Sequence, residues 1–177
     1  MNKNSVAIIS LCSTLCQGNT IPLTSQEWSE LALILKEKGA QPEALLEYST
    51  QDFINNLAIS EDYAKRLSNL IGRTASLYFE LSKYENIGIG VVTRADSTYP
   101  KLIKRELGNN CPPLFYYAGD ISIANREDAY ILDCAQKIEE ADKLAVKFAN
   151  SLMKEMKASA TVKAIQKRKL LIMSQKL

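Results

Sequence analysis

The chain of 177 residues contains no histidine. That removes the commonest general base, proton shuttle and metal ligand at once. A Ser-His or Cys-His nucleophile pair has no second member within the chain. Glycine is scarce as well: there are 7, the last is Gly119, and none follows through Leu177. The glycine-lined turns that cradle phosphates are excluded from that stretch. The 4 cysteines (Cys12, Cys16, Cys111 and Cys134) are too few and too scattered for a disulfide scaffold in a chain of this length. Cys12 and Cys16 fall at i, i+4 on an expected apolar helix, without the further ligands that a zinc site needs. Buried reduced thiols are the expectation, and no catalytic residue, metal site or cofactor assembles from the inventory. Long apolar runs are missing too. "VAIISLCSTLC" is too short to span a bilayer and carries no signal-cleavage pattern. It reads as the buried first helix of a soluble, cytoplasmic protein with no membrane partner.

The formal net charge is only +2, so nothing global demands a polyanionic partner. The charge is unevenly spread, however. From Lys154 to Leu177 there are seven basic residues and one acid, whereas the preceding 153 residues carry a net charge of −4. Lys163, Lys167, Arg168 and Lys169 in this tail suit either a salt-sensitive attraction to DNA or a solvated end.

The first half of the chain reads as helices. "TSQE" is a capping box in which Thr24 caps Glu27, and the helix that follows carries Trp28, Leu31, Leu33 and Leu35 up to Gly39. Pro42 suits the first turn of a short helix, and Ser49 or Thr50 starts another. Ser60, followed by Glu61 and Asp62, predicts one helix from about Glu61 to Lys83. Its apolar stripe is Tyr63, Leu67, Leu70, Ile71, Leu77, Tyr78 and Leu81. Short helices joined by tight turns suggest a sterile-alpha-motif-like (SAM-like) or helix-hairpin-helix module over residues 1–85.

The pattern changes at Ile87. "IGIGVVTR" is a β-branched strand, "YPKLIKREL" a helical turn or two, and "PLFYYAG" an aromatic strand. "AYILDC" reads as a buried strand, and an amphipathic helix is expected from about Ile138 to Lys157. Strand then helix is the first half of a βαβ unit, with a weaker strand candidate at Thr161–Ile165.

These features, in this order from Leu45 to about Asn150, resemble the amino-terminal half of the DNA-processing protein A (DprA/Smf) family. "LAISEDYAKRLSNLI" is similar to the last helix of the family's N-terminal module. "NIGIGVVTRADSTYPKLIKREL" is similar to its glycine-led strand followed by Asp and Tyr-Pro, and "CPPLFYYAGDISI" to its Pro-Pro, apolar strand and Gly-Asp. "KIEEADKLAVKFANSL" is similar to the first helix of its Rossmann-like domain. The resemblance implies an α+β or α/β fold. A SAM-like helical module occupies 1–85, the incomplete start of a Rossmann-like domain 86–157, and a basic tail 158–177. It also implies single-stranded DNA binding and delivery to a RecA-type recombinase during DNA uptake, with a homodimer or a full-length paralogue as a further partner.

Two departures weaken that expectation. The family's Gly-Ser-Arg turn corresponds here to "ILDCAQKI", with Asp133 in the glycine's place and no basic residue before Lys137. Two like charges about 4 Å apart cost on the order of 4 kcal/mol at an effective dielectric near 20. The family's later glycine-rich loop has no counterpart after Met153, which suggests a shifted reading frame or a degenerate end. An interaction or regulatory module and an inactive truncated fragment are therefore the alternatives.

The DNA-binding candidates are Arg94, Tyr99, Lys101, Lys104, Arg105 and Lys137. In the functional reading the cations follow phosphates while bases stack on Tyr99. In the structural reading Asp96 caps a turn, Pro100 begins the short helix at its first position, and the cations form a solvated face. Tyr116 and Tyr117 alternate across a strand, so only one can face the core.

Overall fold

Local capping signals place most of the helices. Thr24 and Ser49 each form a reciprocal capping box, with Glu27 and Asp52 respectively, and Ser60 accepts from the Tyr63 N–H. The structure is a computed structural model, and it describes residues 1–16, 18–126 and 171–173. The helices are α1 (Lys3–Cys12), α2 (Ser25–Glu37), α3 (Thr50–Leu57), α4 (Glu61–Gly72), α5 (Thr74–Asn86) and α6 (Lys101–Leu107). Pro42–Leu46, Gly108–Asn110 and Ile121–Asn125 form short 3-10 turns. Strands β1 (Ile89–Thr93), β2 (Leu114–Ala118) and β3 (Leu171–Met173) pair antiparallel in the order β1-β2-β3. The architecture is α+β. Among the described residues, no helix is long and apolar enough to cross a membrane.

Helix α1 is the centre of the molecule. Every residue from Ser5 to Cys12 is buried, as expected of a helix that is apolar nearly all round. Its buried polar side chains are each bonded: Ser5 to Asp96, and Ser10 to Thr74 at 2.8 Å. Ser13, just past the helix, meets the Tyr116 hydroxyl at 2.8 Å. Ile8, Ile9 and Leu11 pack with Trp28, Leu31, Leu45, Phe53, Leu67, Leu70 and Leu77 in one core. That core continues into the sheet through Leu114, with Val91 and Tyr116 against it.

The other face of the sheet holds a smaller cluster of Val92, Tyr99, Ile103, Cys111 and Phe115. Strand alternation explains the division: Val91 and Tyr116 point one way, Val92 and Phe115 the other. The sheet thus lies between the helical layer and α6. Gly90 faces Tyr117 across the strands, and a Cβ at Gly90 would meet the Tyr117 ring at 2.5 Å. The ring occupies the space that a side chain would need.

The structure corrects four local expectations. The helix predicted over 61–83 is two helices, broken at Arg73 (φ −86°, ψ 1°). The break lets the Arg73 guanidinium reach the end of α1, where it donates to the carbonyls of Ser10, Ser13 and Leu15. Such capping satisfies orphan carbonyls and sets a cation at the negative end of the helix dipole. Burial pushes the Arg73 pKa below its ordinary value, opposed by nearby thiols and Tyr116. Second, Cys12 and Cys16 do not share a helical face: α1 ends at Cys12, and Cys16 sits beyond it in a left-handed conformation (φ 53°). Third, Leu33 and Tyr78 stand outside the core, at 57% and 47% exposure. Fourth, Pro100 is the N-cap of α6 and Lys101 its first residue, one position later than expected. The expected strand "AYILDC", the helix over 138–157, the strand candidate Thr161–Ile165 and the basic tail around Lys163–Lys169 lie outside the described residues.

Candidate nucleic-acid interface

Thr93 to Pro100 leads from β1 into α6 through two consecutive tight turns. The Asp96 N–H donates to the Thr93 carbonyl and the Tyr99 N–H to the Asp96 carbonyl. The Asp96 carboxylate fixes this loop. One oxygen accepts from the Thr93 N–H at 2.8 Å and lies 2.8 Å from the Thr93 hydroxyl. The other accepts from the Ser5 hydroxyl at 2.6 Å and the Asn2 amide at 3.1 Å. Its lone pairs are therefore committed to the scaffold, and they tie the start of α1 to the strand exit across more than ninety residues of sequence. Asp96 closes a turn, as the structural reading had it, and also carries a long-range tie that no local pattern announces.

Tyr99 is the clearest departure from the functional reading. Its ring is 4% exposed and packs on Phe115 at a centroid distance of 5.2 Å. Its hydroxyl donates to the Pro112 carbonyl at 2.7 Å. Burial pushes the phenol pKa up, reinforced by the neighbouring Cys111. No ring face is left for a base, so Tyr99 is a packing residue that seats the loop. The neighbouring aromatics also pack against the scaffold, on opposite faces of the sheet. Tyr116 faces the helical core and contacts Tyr84 and Ser13, while Tyr117 lies over Gly90 on the opposite face.

The cations have a different placement. Lys101, Lys104 and Arg105 are exposed on α6, at a spacing that gathers them on one side of the helix. The opposite side is pinned by Ile103, which is 9% exposed within the small cluster. Asn125 orients the helix from outside: its side-chain oxygen accepts from the Lys101 N–H at 2.8 Å while its amide donates to the Thr98 carbonyl at 3.0 Å. Lys104 and Arg105 sit in the last turn of α6, where cations also suit the helix dipole. Arg94 is half-buried at the strand exit, and its charge lies near enough to Tyr99 to act on that phenol. Four of the six candidates, Arg94, Lys101, Lys104 and Arg105, are thus brought around one loop and one helix. Lys137 lies outside the described residues.

The arginines of the helical layer are spent otherwise. Arg66 pairs with Glu27 at 2.5 Å and donates to the carbonyls of Ile21 and Pro22. Arg73 is committed to the end of α1. Sequence reasoning gave neither a role, because each acts on partners far away in the chain. Cys12 and Cys111 are buried, and burial raises the Cys12 thiol pKa. Among the described residues, no three Cys, Asp or Glu side chains converge as metal ligands.

No family model, no curated protein and no solved structure matches this chain.

Proposed function

We propose that this chain is a DprA-like DNA-processing protein that binds single-stranded DNA weakly and without sequence preference. On this reading residues 1–85 correspond to the family's SAM-like module, and the sheet with α6 to the approach to its Rossmann-like domain. The setting is cytoplasmic, and the partner that receives the strand is a RecA-type recombinase. The observation that carries the proposal is the basic face of α6. Lys101, Lys104 and Arg105 are held outward by a segment whose Asp96, Tyr99 and Pro-Pro residues are all used to build it. The motif residues that carry the resemblance thus have structural work, which positions the cations beside them. Fluorescence anisotropy with a labelled oligo-dT at about 50 mM and about 200 mM salt tests the reading. Binding at the lower concentration that falls steeply at the higher one is expected. Folded protein that leaves the oligonucleotide free at low salt would sink it.

A second reading, a protein-interaction module, is favoured by α5. Tyr78 and Phe79 stand exposed there, Phe79 at 66%, and Tyr78 borders a small apolar depression with Met1, Val6, Leu77 and Leu81. Clustered exposed apolar side chains mark contact surfaces more often than solvent faces. Pull-down of a full-length paralogue, lost in Phe79→Asp while oligo-dT affinity is unchanged, would favour this reading over the first.

A further inference from the structure

We infer that the α6 face recognises phosphates and no bases, so that its ligand class is any flexible single-stranded polyphosphate, whether or not the strand carries bases. The inference rests on the nucleic-acid reading above and goes beyond it. Single-strand sites generally combine a cationic track with aromatic rings on which bases stack. Here, among the described residues, the cations of α6 are outward and the rings beside them are not. Tyr99 is 4% exposed with its hydroxyl bonded to Pro112, and Phe115 is 1% exposed beneath it. Tyr116 is turned through the sheet to the helical core. Tyr117, two residues along β2 from Phe115, is half-buried with its ring set over Gly90. The exposed rings Tyr78 and Phe79 belong to α5, which packs on the helical side of the sheet, across from α6.

A face of this kind gains its affinity from counterion release alone. Neutralising about two phosphates with Lys101 and Lys104 gives a log–log salt slope near −1.4, or roughly a sevenfold loss between about 50 and about 200 mM salt. A stacked base would add about fivefold to a hundredfold in affinity for each ring engaged.

The test compares an oligo-dT with an abasic deoxyribose-phosphate strand of equal length and label, both titrated against the full chain at low salt. Equal affinities, within about twofold, and equal salt slopes are expected. The double variant Lys101→Glu with Lys104→Glu should weaken both strands alike, by about tenfold or more, whereas Tyr117→Leu should weaken neither. Oligo-dT bound about tenfold tighter than the abasic strand, or lost on Tyr117→Leu, overturns the inference while leaving the nucleic-acid reading intact. Neither strand binding, with circular dichroism showing folded protein, overturns both.

Discussion

Asp96→Ala removes one carboxylate and strands several donors at once: the Thr93 N–H, the Ser5 hydroxyl and the Asn2 amide. Hydrogen bonds to a charged acceptor are the stronger kind, so the expected loss is about 2–3 kcal/mol by urea denaturation. Any fall in affinity for oligo-dT at low salt should accompany that loss of stability, because the carboxylate holds the loop and faces the scaffold rather than a ligand. Weaker binding with unchanged stability would return Asp96 to the interface. Gly90 makes a different demand. Its backbone is not strained; what it supplies is space, since a Cβ would stand 2.5–2.7 Å from three Tyr117 atoms. Gly90→Ala should cost about 1–3 kcal/mol, and adding Tyr117→Ala should recover part of that loss. Purely additive costs in the double variant would show that the ring and the glycine are not coupled.

The helix ends form the next scale. Glu27 belongs to the α2 capping box and also holds Arg66 of α4. The Arg66 bond, with the Thr24 N–H, lowers its carboxyl pKa below the ordinary 4.5 despite partial burial. A depressed folded-state pKa contributes stability above the unfolded value, and that contribution is lost as pH falls through the folded one. The stability gap between the wild type and Glu27→Gln should therefore be widest near neutrality and narrow below pH 4.5, read as urea midpoints across a pH series. A gap that is constant across the series would show that the ion pair contributes nothing. At this scale much was legible. Thr24, Ser49, Ser60 and Gly39 mark helix ends through bonds to residues close by in sequence, and each acts as its local pattern predicts. The break at Arg73 was not legible, because its cause is a guanidinium serving carbonyls near residue 10. Tyr99 misled for a similar reason. Tyr-Pro announces a turn, but the direction of the ring depends on Phe115 and on the Pro112 carbonyl, which the turn itself does not specify. The basic character of α6 was legible from composition, whereas its pinning by Asn125, 24 residues away, was not.

Across the whole molecule, the helical layer and the sheet share apolar contacts rather than merely abutting. Leu114 of β2 is 2% exposed and belongs to the same core as Trp28 and Leu67. Leu114→Ala should cost about 2–4 kcal/mol. The loss should appear in full in the fluorescence of Trp28, the single tryptophan, which lies in α2. The fluorescence and far-UV circular dichroism transitions should shift together, as they do when unfolding is cooperative. A Trp28 transition that stays in place while the dichroism moves would mean that the layers unfold separately.

The Arg73 cap bears on the order in which a growing chain can settle. The carbonyl of Ser10 takes its donor from a residue 63 positions later. At about 5–20 residues per second, the last turn of α1 is synthesised roughly 3 to 13 seconds before its cap exists. Throughout that interval water must serve the exposed carbonyls, and an apolar helix destined for the centre stands open at one end. Helix α1 is thus made well before the residue that closes it, and a ribosome pausing before residue 73 would hold the chain with that end of the helix uncapped.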